Sequence, residues 1–256
     1  MIDFNNSWCI GLTTLTGIQI PESNKRFKYE NGLLLGKTNP NNEDFDKLIF
    51  ANRNITTTSI PSNIKEISSS AFSECKNLKT MNLLNTKLLS IGESSFCDSS
   101  VEAVYIPSSV TNIEHSAFSS CENLHTFEIP EESNLQFIGN CSFYCSSLKS
   151  INIPQHVKEI APYEFMLCKN LKYVNISHKS ELIKIGECAF ERTAIESFII
   201  PPNVSFIGPF IVNGCNELKI IDFSNNVKLK NISKLSFNCL KNVNIAAPKG
   251  IEISEE

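Results

Sequence analysis

The stretch Ile113–Ile160, IEHSAFSSCENLHTFEIPEESNLQFIGNCSFYCSSLKSINIPQHVKEI, decides the fold because it states one pattern twice. In each copy an Ile is followed five residues later by Phe (Ile113/Phe118, Ile138/Phe143). A small or polar turn comes next, then a strand of pattern L-x-x-Φ-x-I: Leu124, Phe127, Ile129 and again Leu148, Ile151, Ile153. Repetition on this scale means stacked units that share one continuous core.

Working outward, the anchor Ile recurs at Ile67, Ile91, Ile113, Ile138, Ile160, Ile185, Ile207 and Ile232. The spacings are 24, 22, 25, 22, 25, 22 and 25, so longer and shorter units alternate. Five residues after the anchors stand Phe72, Phe96, Phe118, Phe143, Phe165, Phe190, Val212 and Phe237. An apolar column of this kind faces the interior of a solenoid, so these rings form a buried spine and not a cofactor site. In the shorter connections an Ile-Pro pair closes the strand (Ile60-Pro61, Ile106-Pro107, Ile153-Pro154, Ile200-Pro201), because Pro has no N–H to give a parallel ladder. A Φ-x-x-I step follows (Val110/Ile113, Val157/Ile160, Val204/Ile207) and predicts a second, short strand on another wall. The residues around each Phe predict a tight helical turn between the walls. Longer units carry loops such as Asn85-Thr86-Lys87 and Ser177-His178-Lys179-Ser180.

The period breaks once. Phe27–Glu30 and Leu33–Leu35 flank Asn31-Gly32, a pair suited to the positive φ of a two-residue hairpin turn. A second turn at Asn39–Asn42 and an apolar run Lys47–Phe50 complete a three-stranded β island. Before it, Leu15, Ile18, Ile20 and Pro21 carry the strand signature and read as the tail of a repeat. After the last anchor, Asn242, Ile245, Ala247 and Pro248 keep a decayed outline of the unit. The expected organisation is a partial repeat over 1–24, a β-meander island over 25–51 and a solenoid of about eight units over 52–256.

Lys plus Arg is 23 and Asp plus Glu is 27, a balance that recruits neither nucleic acid nor an anionic membrane. No apolar run approaches the ~20 residues of a membrane-spanning helix, and MIDFNNSWCIGL lacks the basic and apolar blocks of a signal peptide. Of the ten Cys, Cys75, Cys121, Cys168 and Cys215 each stand eight residues after an anchor, in alternate units. Rungs stack about 4.8 Å apart, so members of this column lie ~10 Å from one another. A disulfide needs Cα atoms within about 7 Å, so the column is read as buried free thiols, and Cys141 and Cys188 likewise. Adjacent-rung pairs such as Cys145 with Cys121 or Cys168 stay open.

The unit I-x-x-x-A-F-x-x-C-x-N-L-x-x-Φ-x-I-P-x-x-V-x-x-I resembles the BspA-type leucine-rich repeat, with Ile67–Leu83 and Ile160–Ile176 as the closest matches. The island FKYENGLLLGK is also similar to an interruption common in that family. The resemblance implies a β-rich solenoid, a right-handed stack of parallel strands with short turns. It further implies a non-enzymatic surface or secreted protein that adheres to host, matrix or cell-surface proteins. The lack of a signal peptide and the unpaired thiols favour an intracellular scaffold as the alternative. The family motif is structural throughout, so no functional residue transfers from it.

Chemistry does not emerge. Cys121 with His125, or Cys141 with Cys145, lacks the C-x-x-C pairs of a zinc site, and no nucleophile-elbow, H-E-x-x-H or phosphate-loop pattern occurs. Glu128 and Asp222 are the acidic residues of the outward central column, four rungs apart and too distant to cooperate. No catalytic residue, metal or cofactor is expected. The outward columns are otherwise small or polar. Tyr105, Tyr173, Ile199 and Ile220 are the exceptions, and with Asn175 and Asp222 they are the expected contact residues for a protein partner on the strand face.

Overall fold

The structure, a computed structural model, describes residues 8–9, 11–12, 14–15, 17–57, 59–237, 243–248 and 250–254. Asn242 of the decayed final unit lies outside the described residues. The chain opens with the hairpin strands β1 (Lys28–Glu30) and β2 (Leu33–Gly36) and with β3 (Lys47–Ala51). The solenoid strands follow in order: β4 (Glu66–Ile67), β5 (Thr80–Asn82), β6 (Ser90–Ile91), β7 (Ala103–Tyr105), β8 (Asn112–Ile113), β9 (Thr126–Glu128) and β10 (Phe137–Ile138). Next come β11 (Ser150–Ile153), β12 (Glu159–Ile160), β13 (Tyr173–Ile176), β14 (Lys184–Ile185), β15 (Ser197–Ile199), β16 (Phe206–Ile207) and β17 (Ile220–Asp222). The last are β18 (Asn231–Ser233), β19 (Asn244–Ala246) and β20 (Glu252–Ser254). From β4 to β18 the even strands form a short wall centred on the anchor Ile. The odd strands from β5 to β19 form a long wall.

The turns that lead from each short-wall strand to the long wall make the third wall. They are not regular helix; among the described residues the one helical stretch is the 3-10 turn Lys234–Phe237. Residues three and seven after each anchor from Ile67 to Ile207 are left-handed, from Ser70 and Glu74 through Ser116 and Ser120 to Phe210 and Gly214. Left-handed φ costs a non-glycine residue about 1–2 kcal/mol. The return is a backbone ladder: Ser116, Phe118 and Ser120 donate to the carbonyls of Asn140, Ser142 and Tyr144 at 2.8–2.9 Å. Alternating the two hands of the backbone aims every second N–H at the next rung. A buried amide left unmade would cost comparable energy. Rungs also approach closely beside the short wall, where a Cβ on Gly139 would lie 2.6 Å from the His115 nitrogen.

The spine forms as the sequence predicts. Rings Phe72, Phe96, Phe118, Phe143, Phe165 and Phe190 stack with centroids 4.8, 4.9, 5.5, 5.5 and 5.4 Å apart and planes within 11°. All are fully buried, and Val212, also buried, ends the stack. Phe237 lies instead against Phe223 at 6.1 Å. Beside the spine the four thiols Cys75, Cys121, Cys168 and Cys215 are free and buried. Cys121, Cys168 and Cys215 each donate to the carbonyl of the preceding spine residue, Phe96, Phe143 or Phe190, at 3.0 Å. Their sulfurs also meet Ser99, Ser146 and Thr193 at 3.2–3.4 Å. Burial pushes the Cys121 and Cys168 thiols up to about 12. Cys141, expected to be buried, is half-buried, and Cys188 is buried.

The island's Asn31 and Gly32 carry φ of 51° and 80°, the left-handed pair the hairpin requires. Strands β1, β2 and β3 pair antiparallel, and β3 continues in parallel onto β4, so the meander extends the short wall. It also closes the end of the core. Ala51 donates to the Ala71 carbonyl, and the buried Arg53 guanidinium donates to the carbonyls of Ala71, Ser70 and Cys9 at 2.9–3.3 Å. Of these, the Ala71 carbonyl holds the position that a preceding rung's turn ladder serves elsewhere in the solenoid. Residues 17–27 form no strand; Leu15, Ile18 and Ile20 pack over the island beside Ile49 and Phe50 instead of adding a rung.

Candidate functional site

The long wall is one sheet at its start and three pieces along its length. Strands β5, β7 and β9 pair continuously, β11 pairs only with β13, and β15, β17 and β19 form the last piece. At the bonded junctions the residue before the strand donates back one rung: Glu102 to Lys79, His125 to Glu102, Lys172 to Lys149, Lys219 to Glu196. No such bond joins Lys149 to His125 or Glu196 to Lys172. Both interruptions follow a longer unit, and one of the two strands that part has Phe at its inward centre, Phe127 on β9 at the first and Phe198 on β15 at the second. Phe127 wedges edge-on against Phe118 and Phe143 at 5.0 and 4.9 Å, and Phe198 lies 4.9 Å from Phe190. At the other junctions after a longer unit, Met81 with Val104 and Ile221 with Ile245, neither strand carries that ring and the ladder is intact. At the second interruption the inward residues Val174 and Ile176 are half-exposed, whereas Ile151 and Ile153 one rung back are buried.

This interruption organises the expected contact residues. Tyr173, Ile199 and Ile220 are 59%, 69% and 46% exposed, on the consecutive rungs β13, β15 and β17. Register places Ile220 beside Ser197 and Asp222 beside Ile199, and Asn175 bonds to the Asn152 amide at 3.0 Å. Ser224 donates from backbone and side chain to Asp222, which holds that carboxyl below its ordinary value and ionised. Tyr105 is not part of the group. It is half-buried on β7, three rungs from Tyr173, between Asn82 and Glu128.

Two clefts open where the long loops rise over the short Ile-Pro links. One, of about 540 Å³, lies between Tyr173, Asn175, Ile199, Pro201 and Asn203. The other, of about 530 Å³, lies between Pro130, Glu131, Asn152, Pro154 and Asn175. Ser177, His178 and Lys179, at the tip of the loop that ends at Ser180, form the wall they share. Buried Ser180 holds it in shape, its oxygen accepting from the Leu182 N–H, as Ser133 does for Leu135 in the loop before. On the loop's flank Gln155 and His156 bond to Glu181 and keep its carboxyl below the usual range. A slot of about 60 Å³ also lies across the first interruption, beside His125 and Glu128.

The column just before the strands was not singled out from the sequence, and it sets the charge of this face. It reads Lys79, Glu102, His125, Lys149, Lys172, Glu196, Lys219. Lys79 and Glu102 pair at 2.6 Å. Further along, Glu196 is shared between Lys172 at 3.8 Å and Lys219 at 3.4 Å, with exposed Lys149 one rung before. Three lysines against one glutamate make a basic rail beside the exposed apolar group, in a chain of net charge −4. Its signal was a fixed repeat position, legible once the column is read downward.

No group of three or more His, Cys, Asp or Glu among the described residues is arranged to hold a metal ion. No helix among them is long and apolar enough to cross a membrane. The chain matches the model of the BspA type leucine rich repeat region, in six copies, over residues 43–172 and 136–256. No curated protein matches it. Among solved structures it is similar to a leucine-rich repeat protein from Bacteroides ovatus, 22% identical, covering 92% of this chain and 78% of that one with a TM-score of 0.58. It is also similar to the pneumococcal vaccine antigen PcpA, 14% identical, covering 90% of this chain and 67% of that one with a TM-score of 0.57. These likenesses agree with the stacked parallel strands and the spine, and the matched repeats span the whole solenoid: the chain belongs to the BspA-type leucine-rich repeat family.

Proposed function

We propose that this chain is a non-enzymatic protein-binding module that docks its partner on the long wall, over Tyr173, Asn175, Ile199, Ile220 and Asp222. One observation carries the reading: three large apolar side chains stand 46–69% exposed on consecutive rungs, in a wall whose other outward strand positions are small or polar apart from half-buried Tyr105. Lone exposed apolar residues are ordinary on any surface. A contiguous group rimmed by amides and charges is how binding hot spots are built, each anchor worth about 1–2 kcal/mol or more. The ordered clefts beside the group give a partner relief to grip.

Family membership supports a surface or secreted setting, with host, matrix or cell-surface proteins as the partner class. A second reading, an intracellular scaffold, is favoured by one observation: the nine described cysteines are all free. Staining the tagged full-length protein on intact and on permeabilised cells separates the two. Signal on intact cells supports the first, and signal only after permeabilisation supports the second. For the docking face, peptides selected from a random display library on the wild-type protein are retested on a Tyr173→Ala, Ile199→Ser, Ile220→Ser triple variant. Loss of at least tenfold in affinity with an unchanged melting curve supports the face. Unchanged binding moves the site to the island or the longer loops.

A further inference from the structure

We infer that the occupant of this face is an amphipathic α-helix, lying along the solenoid axis across the strands, with acidic side chains on the flank that meets Lys149, Lys172 and Lys219. The inference rests on the docking reading above and names the chemistry of the partner.

Spacing is the first argument. Tyr173 and Ile220 occupy one outward column two rungs apart, and Ile199 sits on the rung between, in the neighbouring column. The spine rings beneath Tyr173 and Ile199 repeat at 5.4 Å. An α-helix advances about 5.4 Å per turn, so its stripe at i, i+4 and i+7 meets three successive rungs and zigzags as the three side chains do. A polyproline helix repeats every ~9 Å and would pass over Ile199. An added β-strand would need the two rungs to stand about twice the ~4.8 Å strand spacing apart. They cannot: Tyr163, Phe165 and Leu167 donate to the carbonyls of Glu187, Ala189 and Glu191 at 2.9 Å, which clamps the same rungs on the turn wall. The interruption is a shallow opening, not a slot for a strand.

Charge is the second argument. Along one side of the apolar group the exposed rail carries Lys149, Lys172 and Lys219 against Glu196 alone. On the other side stands ionised Asp222. A helix with glutamates on the rail side of its apolar stripe pairs with the excess lysines, and Asp222 repels the same helix laid the other way round. At the start of the wall, Lys79 and Glu102 neutralise one another, and exposed Leu84 has no exposed apolar neighbour on β7 or β9, so the combination is not repeated.

The test uses fluorescent 21-residue peptides built on alanine, with leucines at i, i+4, i+7 and i+11. One carries glutamates on one flank of the stripe, a second carries lysines there, and a third is the glutamate peptide with a central proline. Anisotropy titrations are expected to show the glutamate helix binding at least tenfold tighter than the lysine helix, with affinity falling as salt is raised. The proline peptide is expected to lose binding, and a Lys172→Glu, Lys219→Glu variant to reverse the preference between the flanks. Equal affinity for the two flanks, full binding of the proline peptide, or no binding by either helix overturns the inference. If neither helix binds, the display-selected peptides decide what fails. Their loss on the triple variant leaves the docking face standing with a different occupant, and their retention removes the face itself.

Discussion

The first three strands of the long wall and the last three rungs before its end are built on the same interior and present different exteriors. Under β5, β7 and β9 lie Phe72, Phe96 and Phe118; under β13 and β15 lie Phe165 and Phe190, stacked in the same way. Yet the first part is an unbroken ladder with small or polar side chains outward, apart from half-buried Tyr105. The second part is interrupted, with Tyr173, Ile199 and Ile220 outward and two clefts beside them. In a solenoid each rung answers only to its neighbours, so interior columns stay uniform while exterior ones vary freely. On the reading proposed above, the difference in the outward columns belongs to recognition.

If the interiors are equivalent, truncating the spine should cost the same in both parts. Phe118→Ala and Phe165→Ala are each expected to lose about 3–5 kcal/mol in denaturant unfolding. A much smaller loss at Phe165 would show that the interrupted part is also loosely packed.

One interior position does differ. Four residues after the anchor, the first part has Ala71, Ser95 and Ala117, and the second has fully buried Glu164. Its carboxylate accepts one bond, from the Ala161 N–H, and its other oxygen has no partner. Burial pushes its pKa well above the ordinary value of 4.5, with Glu159 adding to the shift. The folded state thus prefers the neutral acid. Its stability is fully present below pH 4.5 and is lost as pH rises toward the folded value, by about 1.4 kcal/mol per unit. Glu164→Gln should abolish that slope and melt higher than wild type at pH 7. An identical slope in both proteins would place the pH dependence elsewhere.

The turn wall offers a smaller test of uniformity. Ser120 sits at φ 57°, so Ser120→Gly should stabilise by about 0.5–1 kcal/mol and Ser120→Val should destabilise by more. Arg192, at φ 56° in the second part, should respond to the same pair of changes with the same signs. The thiol column should likewise behave alike in both parts. With pKa near 12, Cys121 and Cys168 are expected to resist iodoacetamide in the native protein at pH 8 and to react after denaturation. Rapid native labelling of either would contradict their burial.

The interior was legible because its columns recur: the anchors, the Phe spine, the Ile-Pro steps and the thiols each repeat at fixed offsets. The partners of the thiols were legible too, since Ser99, Ser146 and Thr193 stand at the same offset of eight residues as the cysteines they meet. The left-handed turns were not, because Ser, Glu, Cys and Leu occupy positions where glycine would have signalled positive φ. Arg53 gave no local sign of capping the core, since apart from Ala51 the carbonyls it serves, of Ala71, Ser70 and Cys9, come from other segments. The exposed anchors were found by strand alternation. The interruption beside them was not, because it depends on how Phe127 and Phe198 fit against the rings of the spine in three dimensions.

Hydrogen exchange, with and without the tightest peptide from a random display library, tests the central claim most directly. The ligand is chosen without reference to any face, so the footprint is free to fall anywhere. Slowed exchange is expected in Tyr173–Ile176, Ser197–Ile199 and Ile220–Asp222, with Thr80–Asn82 and Ala103–Tyr105 unchanged. Protection confined to the first strands, the island or the turn wall would contradict the account.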